Sequence, residues 1–413
     1  MELAVAGAHM HTQLPIAIVG GGPAGAMAAA VLASAGRAVV LFDEKLAWEK
    51  PCGGGVTHKA LQQYPFLRYG SGAGRSIEQC ELISPSGKRV RFPMQHPVAI
   101  FSRLALNGLL LERARKAGVE IRKERATGVR RTGEDWRLVT TEREYRASAL
   151  ILAAGARNAF RAQFLSPIPA ADLMVTAGYF IPGGAPLMQI QFLKGVAGYI
   201  WVFPRVDHVS AGIAGRMGEM PTARLRRILE QWLTDNGFRW DGAPFYSHIL
   251  PSFRTQSFDT LEVCGDGWAL IGDSAGLVDP ITGEGLYYAL RSAELCASTL
   301  LAGRPEQYRA LLAEQILPEL KLAARVWPRF YRGEIFGDSV LEQMVSLTAR
   351  SASFRDLMSD LLAGIQGYGD LRTRLGKILP AVMAEGLTAA LRRPGKTDSE
   401  RSAPPLSAPL DLQ

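Results

Sequence analysis

The turn Gly20-Gly21-Gly22-Pro23-Ala24-Gly25 carries glycine at its first, third and sixth places. That spacing suits a dinucleotide pyrophosphate. Gly20 permits a tight turn, Gly22 lets backbone approach phosphate, and Gly25 lets the following helix lie close to a strand. Asp43 ends the next apolar stretch, where a carboxylate can accept hydrogen bonds from a ribose hydroxyl. The plainer reading is a glycine-rich turn in some other α/β protein. The strand before the turn and the helix after it favour the dinucleotide.

A second motif lies far downstream. Residues 268–286 read WALIGDSAGLVDPITGEGL. Gly272-Asp273 ends an apolar strand, and Gly283-Glu284-Gly285-Leu286 opens a helix. An Asp at a strand end can hold ribityl hydroxyls. A helix N-terminus facing the flavin N1–O2 edge would stabilise the anion formed on reduction. A fold that binds only NAD has no need of this element, so the pair of motifs points to FAD.

Two further stretches could do chemistry. Lys50-Pro51-Cys52-Gly53-Gly54-Gly55 sets a thiol in a flexible turn, either as a small packing residue or beside a flavin ring. Tyr199, Trp201 and Phe203 alternate and therefore share one strand face. Such a face is either core or the wall of a slot for a flat or polyunsaturated chain. The six histidines (His9, His11, His58, His96, His208, His248) have no ligand spacing, so no metal is expected.

The elements that must position these residues follow from periodicity. Strands are expected at 15–20 and 38–43 around a helix at 23–35, forming a β-α-β unit. Ser102 caps a helix running to Gly118. Residues 119–146 read as an antiparallel meander, and 148–155 as a buried strand. Residues 169–257 read mostly as strands around a helix at 221–236. Residues 268–273 form a strand, 284–301 a helix, and the chain is helical from 306. The expected organisation is a flexible tail at 1–14, FAD-binding segments at 15–75, 98–168 and 258–305, substrate-domain segments at 76–97 and 169–257, a helical region at 306–392 and a disordered tail at 393–413. The fold class is α/β: a Rossmann-type FAD domain with three β/β/α layers, an antiparallel-sheet substrate domain and a C-terminal helical region.

Composition narrows the rest. The 413 residues are 47% hydrophobic and 21% charged, with a net charge of +8, enough to bury a large core. A sequence pI of about 9.4 suits phosphate-rich ligands or an anionic membrane surface. No dense Lys/Arg run with interleaved aromatics appears, so nucleic acid is not expected. Cys52, Cys80, Cys264 and Cys296 form no C-x-x-C pair, which points to a reducing cytoplasm. The uncharged stretch 15–36 is interrupted by glycine and proline and cannot span a bilayer. Residues 1–14 lack the basic and apolar regions of a signal peptide. Trp327, Phe330 and Leu379 mingle with Arg325, Arg329 and Arg372 in the C-terminal helices, which would lid an apolar tunnel, rest on the inner face of a membrane, or simply form core.

Together the two dinucleotide motifs resemble the para-hydroxybenzoate hydroxylase superfamily. Within it, the PCGGG stretch at 51–55, Tyr199-Ile200-Trp201-Val202-Phe203-Pro204 with Gly212, and Gly283-Glu284-Gly285-Leu286-Tyr287-Tyr288 resemble the geranylgeranyl reductase family. The resemblance spans about residues 15–370. It implies FAD contacts at Gly20, Gly22, Ala24, Gly25, Asp43, Gly53, Gly54, Arg103, Gly155, Gly272, Asp273, Pro280, Gly283, Gly285 and Leu286. It implies a reacting site at Cys52, Tyr199, Trp201 and Phe203. The implied activity is reduction of C=C bonds in a polyprenyl lipid or prenylated quinone by hydride from flavin N5.

Two positions depart from the pattern. Ala154 replaces the acid that usually precedes Gly155, which puts direct reduction by NAD(P)H in doubt and admits ferredoxin or another donor protein. Ala214 replaces the second glycine of the motif around Gly212. Three other readings stand beside the reductase: a flavin-dependent monooxygenase, a halogenase, or a flavoprotein that modifies a partner protein. Gly276 and Leu286 stand where monooxygenases usually carry His and Asn. Tyr199 and Phe203 stand where a halogenase would carry Trp and Ile.

Overall fold

The computed structural model describes residues 14–69, 72–335 and 337–391. Apart from Leu14, the expected tails at 1–14 and 393–413 lie outside these residues. The chain opens with β1 (Ile16–Val19), α1 (Pro23–Ser34) and β2 (Val39–Phe42). The two strands pair in parallel and every residue in them is buried. Continuous apolar runs of this kind belong to a parallel sheet covered on both faces.

A short strand β3 (Gly55–Val56) and helix α2 (His58–Gln63) lead into the hairpin β4 (Gly74–Ile83) and β5 (Arg89–Phe101). Helix α3 (Arg103–Lys116) starts at Ser102, whose hydroxyl accepts from the Ala105 amide as expected of a cap. Then come β6 (Glu120–Arg122), β7 (Ala126–Thr132), β8 (Asp135–Thr140), β9 (Glu144–Ala147) and β10 (Ala149–Leu152).

The meander is shorter than expected. It comprises β7, β8 and β9, while β6 joins the parallel sheet beside β2. Sequence hid this because β6 is a half-exposed edge strand of sequence EIR, too short and polar to read as a buried strand.

The second sheet continues with β11 (Leu173–Pro182), β12 (Met188–Phe192), β13 (Tyr199–Pro204) and β14 (His208–Arg216). Helix α4 (Thr222–Asp235) precedes β15 (Phe245–Pro251). The chain then returns to the first sheet with β16 (Cys264–Gly265) and β17 (Trp268–Leu270). Helix α5 spans Leu286–Leu301, and α6 (Leu317–Arg332), α7 (Val340–Arg350), α8 (Ala352–Leu362) and α9 (Leu371–Leu391) complete the C-terminal helices.

Strand order in the first sheet is β16-β17-β10-β1-β2-β6, and in the second β15-β11-β14-β13-β12-β4-β5-β3. The first sheet lies between the meander and helices α1, α3 and α5, with one apolar core running through all three layers. This is the expected β/β/α arrangement. The larger sheet is mainly antiparallel, with β4 and β12 paired in parallel across the long insertion. Helices α6, α7 and α8 share a second core with β4, β5 and β12.

Candidate active site

At the glycine turn, each glycine answers to a different neighbour. A Cβ on Gly20 would lie 2.4 Å from the Ala153 carbonyl oxygen, and one on Gly25 1.8 Å from the Gly20 oxygen. These two glycines let the end of β1 pass β10 and let α1 close on β1. At Gly22 a Cβ would meet no atom within 4 Å. Gly22, Pro23 and Ala24 instead face a cavity at the start of α1, where backbone N–H groups favour an anion. Asp43 accepts from the Gly21 amide at 2.7 Å and from the amides of Lys45 and Leu46 at 2.8 and 2.6 Å, so it pins the turn to the end of β2.

The downstream motif closes the same cavity. Gly272, at φ +57°, passes between two helices, since a Cβ there would lie 3.0 Å from Ala24 Cβ and 3.4 Å from Ala289 Cβ. Asp273 and Gly285 both line the cavity, and a Cβ on Gly285 would lie 3.2 Å from Asp273 Oδ1. Helix α5 starts at Leu286, later than the sequence pattern implied. Glu284 stays outside it and accepts from the Tyr287 amide at 2.9 Å.

The thiol turn meets the aromatic strand. A Cβ on Gly53 would lie 2.7 Å from the Phe203 ring and 3.7 Å from Trp201, so glycine is what lets this turn lie on those rings. The Gly54 amide donates to Cys52 Sγ at 3.3 Å. Trp201 fits because residue 212 has no side chain: a Cβ there would lie 2.3 Å from its ring. The Trp201 indole donates to Ser210 Oγ at 3.3 Å, and the Tyr199 hydroxyl donates to the Thr282 carbonyl. Tyr199, Trp201 and Phe203 all border the cavity, as one shared strand face requires.

A buried cation fixes the turn from behind. Arg205 is fully buried; it donates to the Cys52 carbonyl at 2.6 Å and pairs with Glu49. Ser210 donates to the same carbonyl at 2.9 Å. Glu49 also accepts from Ser102 Oγ at 2.5 Å and the Arg103 amide at 2.9 Å, so it joins the start of α3 to the second sheet. Burial opposes ionisation of Glu49, but Arg205 and these donors outweigh it and hold the carboxyl below its usual range.

Several cavity residues were given no role by the motif reading. Lys50 is pushed down by burial, with the Asp273 carboxylate opposing. His248 is pushed down to about 3 by burial and by Lys50, Arg157 and Arg103. Its Nε2 is buried without a hydrogen-bond partner among the described residues. Asp279 is pushed up by burial, and Glu284 is pushed up to about 7 by burial reinforced by Asp279. Lys50, Asp279 and Glu284 lie within stretches the motifs name and His248 does not, but spacing gives no sign of the burial that shifts all four. Arg103, named from the sequence, is buried, lines the cavity and donates to Asn107 at 3.3 Å.

One cavity therefore joins the two motifs to the aromatic wall. Of the residues named from sequence, Gly22, Ala24, Cys52, Gly53, Gly54, Arg103, Gly155, Tyr199, Trp201, Phe203, Asp273, Gly283, Gly285 and Leu286 line it. Gly20, Gly25, Asp43, Gly272 and Pro280 are not part of its lining. Beyond the aromatic wall its sides are apolar, including Ile190, Phe192, Phe330, Met344, Met358 and Leu361. Open space beside Gly22, the helix start behind it, buried cations and the orphaned His248 nitrogen all fit a dinucleotide carrying a diphosphate.

Comparison with known proteins agrees. Residues 14–177 match the pyridine nucleotide-disulphide oxidoreductase family model. The chain is an FAD-dependent oxidoreductase. Within that class it is similar to geranylgeranyl reductases, as its motifs implied. It is 26% identical over 380 residues to geranylgeranyl diphosphate reductase of Synechocystis sp., covering 84% of this chain and 89% of that one. It is 29% identical over 313 residues to digeranylgeranylglycerophospholipid reductase of Methanoculleus marisnigri, covering 70% and 76%. In fold, it is similar to a geranylgeranyl bacteriochlorophyll reductase-like protein of Thermoplasma acidophilum, with a TM-score of 0.72, 19% identity, and coverage of 89% and 99%.

Proposed function

We propose that the protein reduces carbon–carbon double bonds in a polyprenyl chain. The observation that carries this reading is the continuity of the cavity from the phosphate-binding turn, past Tyr199, Trp201 and Phe203, into an apolar tunnel under α6, α7 and α8. An isoprenoid offers surface but little polar purchase. Each buried CH₂ contributes roughly 0.8 kcal/mol, so a long chain binds such a tunnel through burial alone. The Synechocystis and Methanoculleus relatives named above are reductases of geranylgeranyl compounds, which supports the assignment.

FAD supplies the hydride at N5 once reduced. The chain's own residues hold and orient. Gly22, the start of α1, Lys50 and Arg103 take the diphosphate; Asp273, Gly285 and Leu286 take the ribityl and ring edge. Cys52, Gly53 and Gly54, locked by Arg205 and Ser210, form one side of the reacting space, and the aromatic face of β13 forms the other. Closure by apolar side chains excludes water and keeps an alkene near its hydride source. Ala154, in place of an acid, supports a ferredoxin-type donor over NADPH.

No helix among the described residues is long and apolar enough to cross a membrane. We assign delivery of the lipid to a membrane surface touched by α9. Its Leu371 lines the cavity, and Leu375, Leu379 and Met383 are exposed beyond it.

The test is anaerobic. The reduced holoprotein is mixed with geranylgeranyl diphosphate or a geranylgeranylated lipid, and flavin reoxidation and product mass are followed. The expected product gains two hydrogens per saturated bond. Reoxidation by a polar aromatic with oxygen incorporation, and by no prenyl compound, would replace this reading with a monooxygenase.

A further inference from the structure

Saturating an isolated alkene consumes a proton as well as a hydride. Within this cavity the proton must come from a side chain that both reaches the reacting space and gives up a proton near neutral pH. The cavity tyrosines fail the second condition, because burial pushes the phenols of Tyr199, Tyr287, Tyr288, Tyr331 and Tyr368 upward. Of the other carboxylates lining the cavity, Asp273 is assigned above to the ribityl, and two more are held by backbone and tyrosine donors. Asp279 accepts from the amides of Ile281 and Thr282 at 2.8 and 3.2 Å and from the Tyr368 hydroxyl at 2.9 Å. Glu319 accepts from the amides of Tyr368 and Gly369 at 2.7 and 3.2 Å.

Glu284 is different. It lines the cavity between two glycines that line it as well. The preceding Gly283, at φ +71°, lies against the Tyr199 hydroxyl, 3.2 Å from where a Cβ would stand; the following Gly285 lies equally close to Asp273. Backbone amides at the start of α5 hold the carboxyl through Tyr287 N–H at 2.9 Å. No side chain among the described residues donates to it. Burial holds its pKa up to about 7; Asp279 reinforces this, while the Tyr287 and Leu286 amides and the Lys59 ammonium oppose it. Its charge is felt by Lys59 on α2, Tyr199 on β13, and Tyr287 and Tyr288 on α5.

We propose that Glu284 is the proton donor of the reduction, placed between the aromatic wall and the strand-end aspartate. This rests on the alkene-reductase reading above. The Glu284 O–H bond breaks, and the π pair of the alkene forms the new C–H bond at one carbon. The neighbouring carbon accepts hydride from the reduced flavin. The sum is one C=C converted to CH–CH, with the Glu284 carboxylate regaining its proton from solvent between turnovers. General acids of this kind contribute about 10²–10⁴-fold to rate.

The test uses the reduced holoprotein with geranylgeranyl diphosphate in single turnover, with infrared titration of the oxidised holoprotein as a readout independent of turnover. In the natural protein, alkene reduction slows about tenfold per pH unit above a midpoint near 7. A protonated-carboxyl band disappears over the same range. Glu284→Gln keeps FAD, loses that band and slows reduction by about 10²-fold or more. Glu284→Asp restores part of the rate with a shifted pH limb. Equal rates and an unchanged pH limb in Glu284→Gln, with the limb lost in Cys52→Ala, overturn the assignment and give the proton to the thiol. If the natural protein reduces no prenyl substrate at all, the alkene-reductase reading falls and takes the donor role with it.

Discussion

Gly22 and Gly25 lie three residues apart in one turn, yet an added methyl meets opposite surroundings at the two positions. At Gly25 it collides with the Gly20 carbonyl oxygen, backbone that cannot move without opening the turn. Gly25→Ala is therefore expected to cost at least about 1–3 kcal/mol of stability, visible as a lower Tm. At Gly22 the methyl enters empty space within the cavity, so Gly22→Val should fold with nearly the natural Tm. The same side chain intrudes on the pyrophosphate, and the variant should purify largely without flavin. Full FAD content in Gly22→Val, measured from the absorbance of released flavin, would remove this turn from the cofactor site. The motif already gave the two glycines these separate roles; what needed the position of β1 relative to α1 was how close the collision at Gly25 is and how open the space at Gly22.

At the scale of elements, contiguous patterns were legible and convergent ones were not. Buried runs such as IAIV and VVLF announce a parallel sheet, and the alternation of Tyr199, Trp201 and Phe203 announces a strand with one aromatic face. Arg205, Ser210 and Glu49 announce nothing, because their joint hold on the Cys52 turn exists only after two sheets meet. Docking of the C-terminal helices was equally hidden. Glu342 on α7 accepts from Ser86 N and Oγ at 3.2 and 2.8 Å and pairs with Lys88 at 3.0 Å, clamping the helix to the β4–β5 turn. Burial opposes ionisation, yet Lys88, Ser84 and Ser86 hold the carboxyl down at about 2, against an ordinary value of 4.5. A depressed carboxyl stabilises the fold above its unfolded pKa, and that stabilisation fades as pH falls from about 4.5 towards 2. Hydrogen exchange in residues 84–88 and in α7 should therefore quicken over this window. Glu342→Gln should quicken it already at pH 7 and flatten the acid dependence. An acid profile identical in both proteins would mean that the clamp does not hold the helices down.

For the whole molecule, the question is how the proposed prenyl substrate, with almost no water solubility, would reach a cavity walled by sheet and helix. The end of α9 nearest the cavity supplies Leu371 to its lining, and Leu375, Leu379 and Met383 then follow at helical four-residue steps. They are 38%, 54% and 62% exposed, with Ile365 40% exposed in the preceding loop. Arg372 and Lys377 are exposed on the same helix, within a chain of net charge +8. An apolar stripe flanked by cations binds an anionic lipid surface by burying the stripe among acyl chains and the charges among headgroups. Such contact would set the tunnel entrance against the bilayer, so a prenyl chain could enter without crossing water. The holoprotein should therefore co-sediment with vesicles containing phosphatidylglycerol, less so as salt rises, and poorly with neutral vesicles. Leu379→Glu with Met383→Glu should weaken sedimentation at least tenfold, because both changes fall on exposed positions and leave the core intact. That variant should lose turnover of a prenyl lipid embedded in vesicles while retaining turnover of geranylgeranyl diphosphate added in detergent. Unchanged sedimentation, or equal loss with both substrates, would separate α9 from lipid delivery and leave it as a lid over the tunnel.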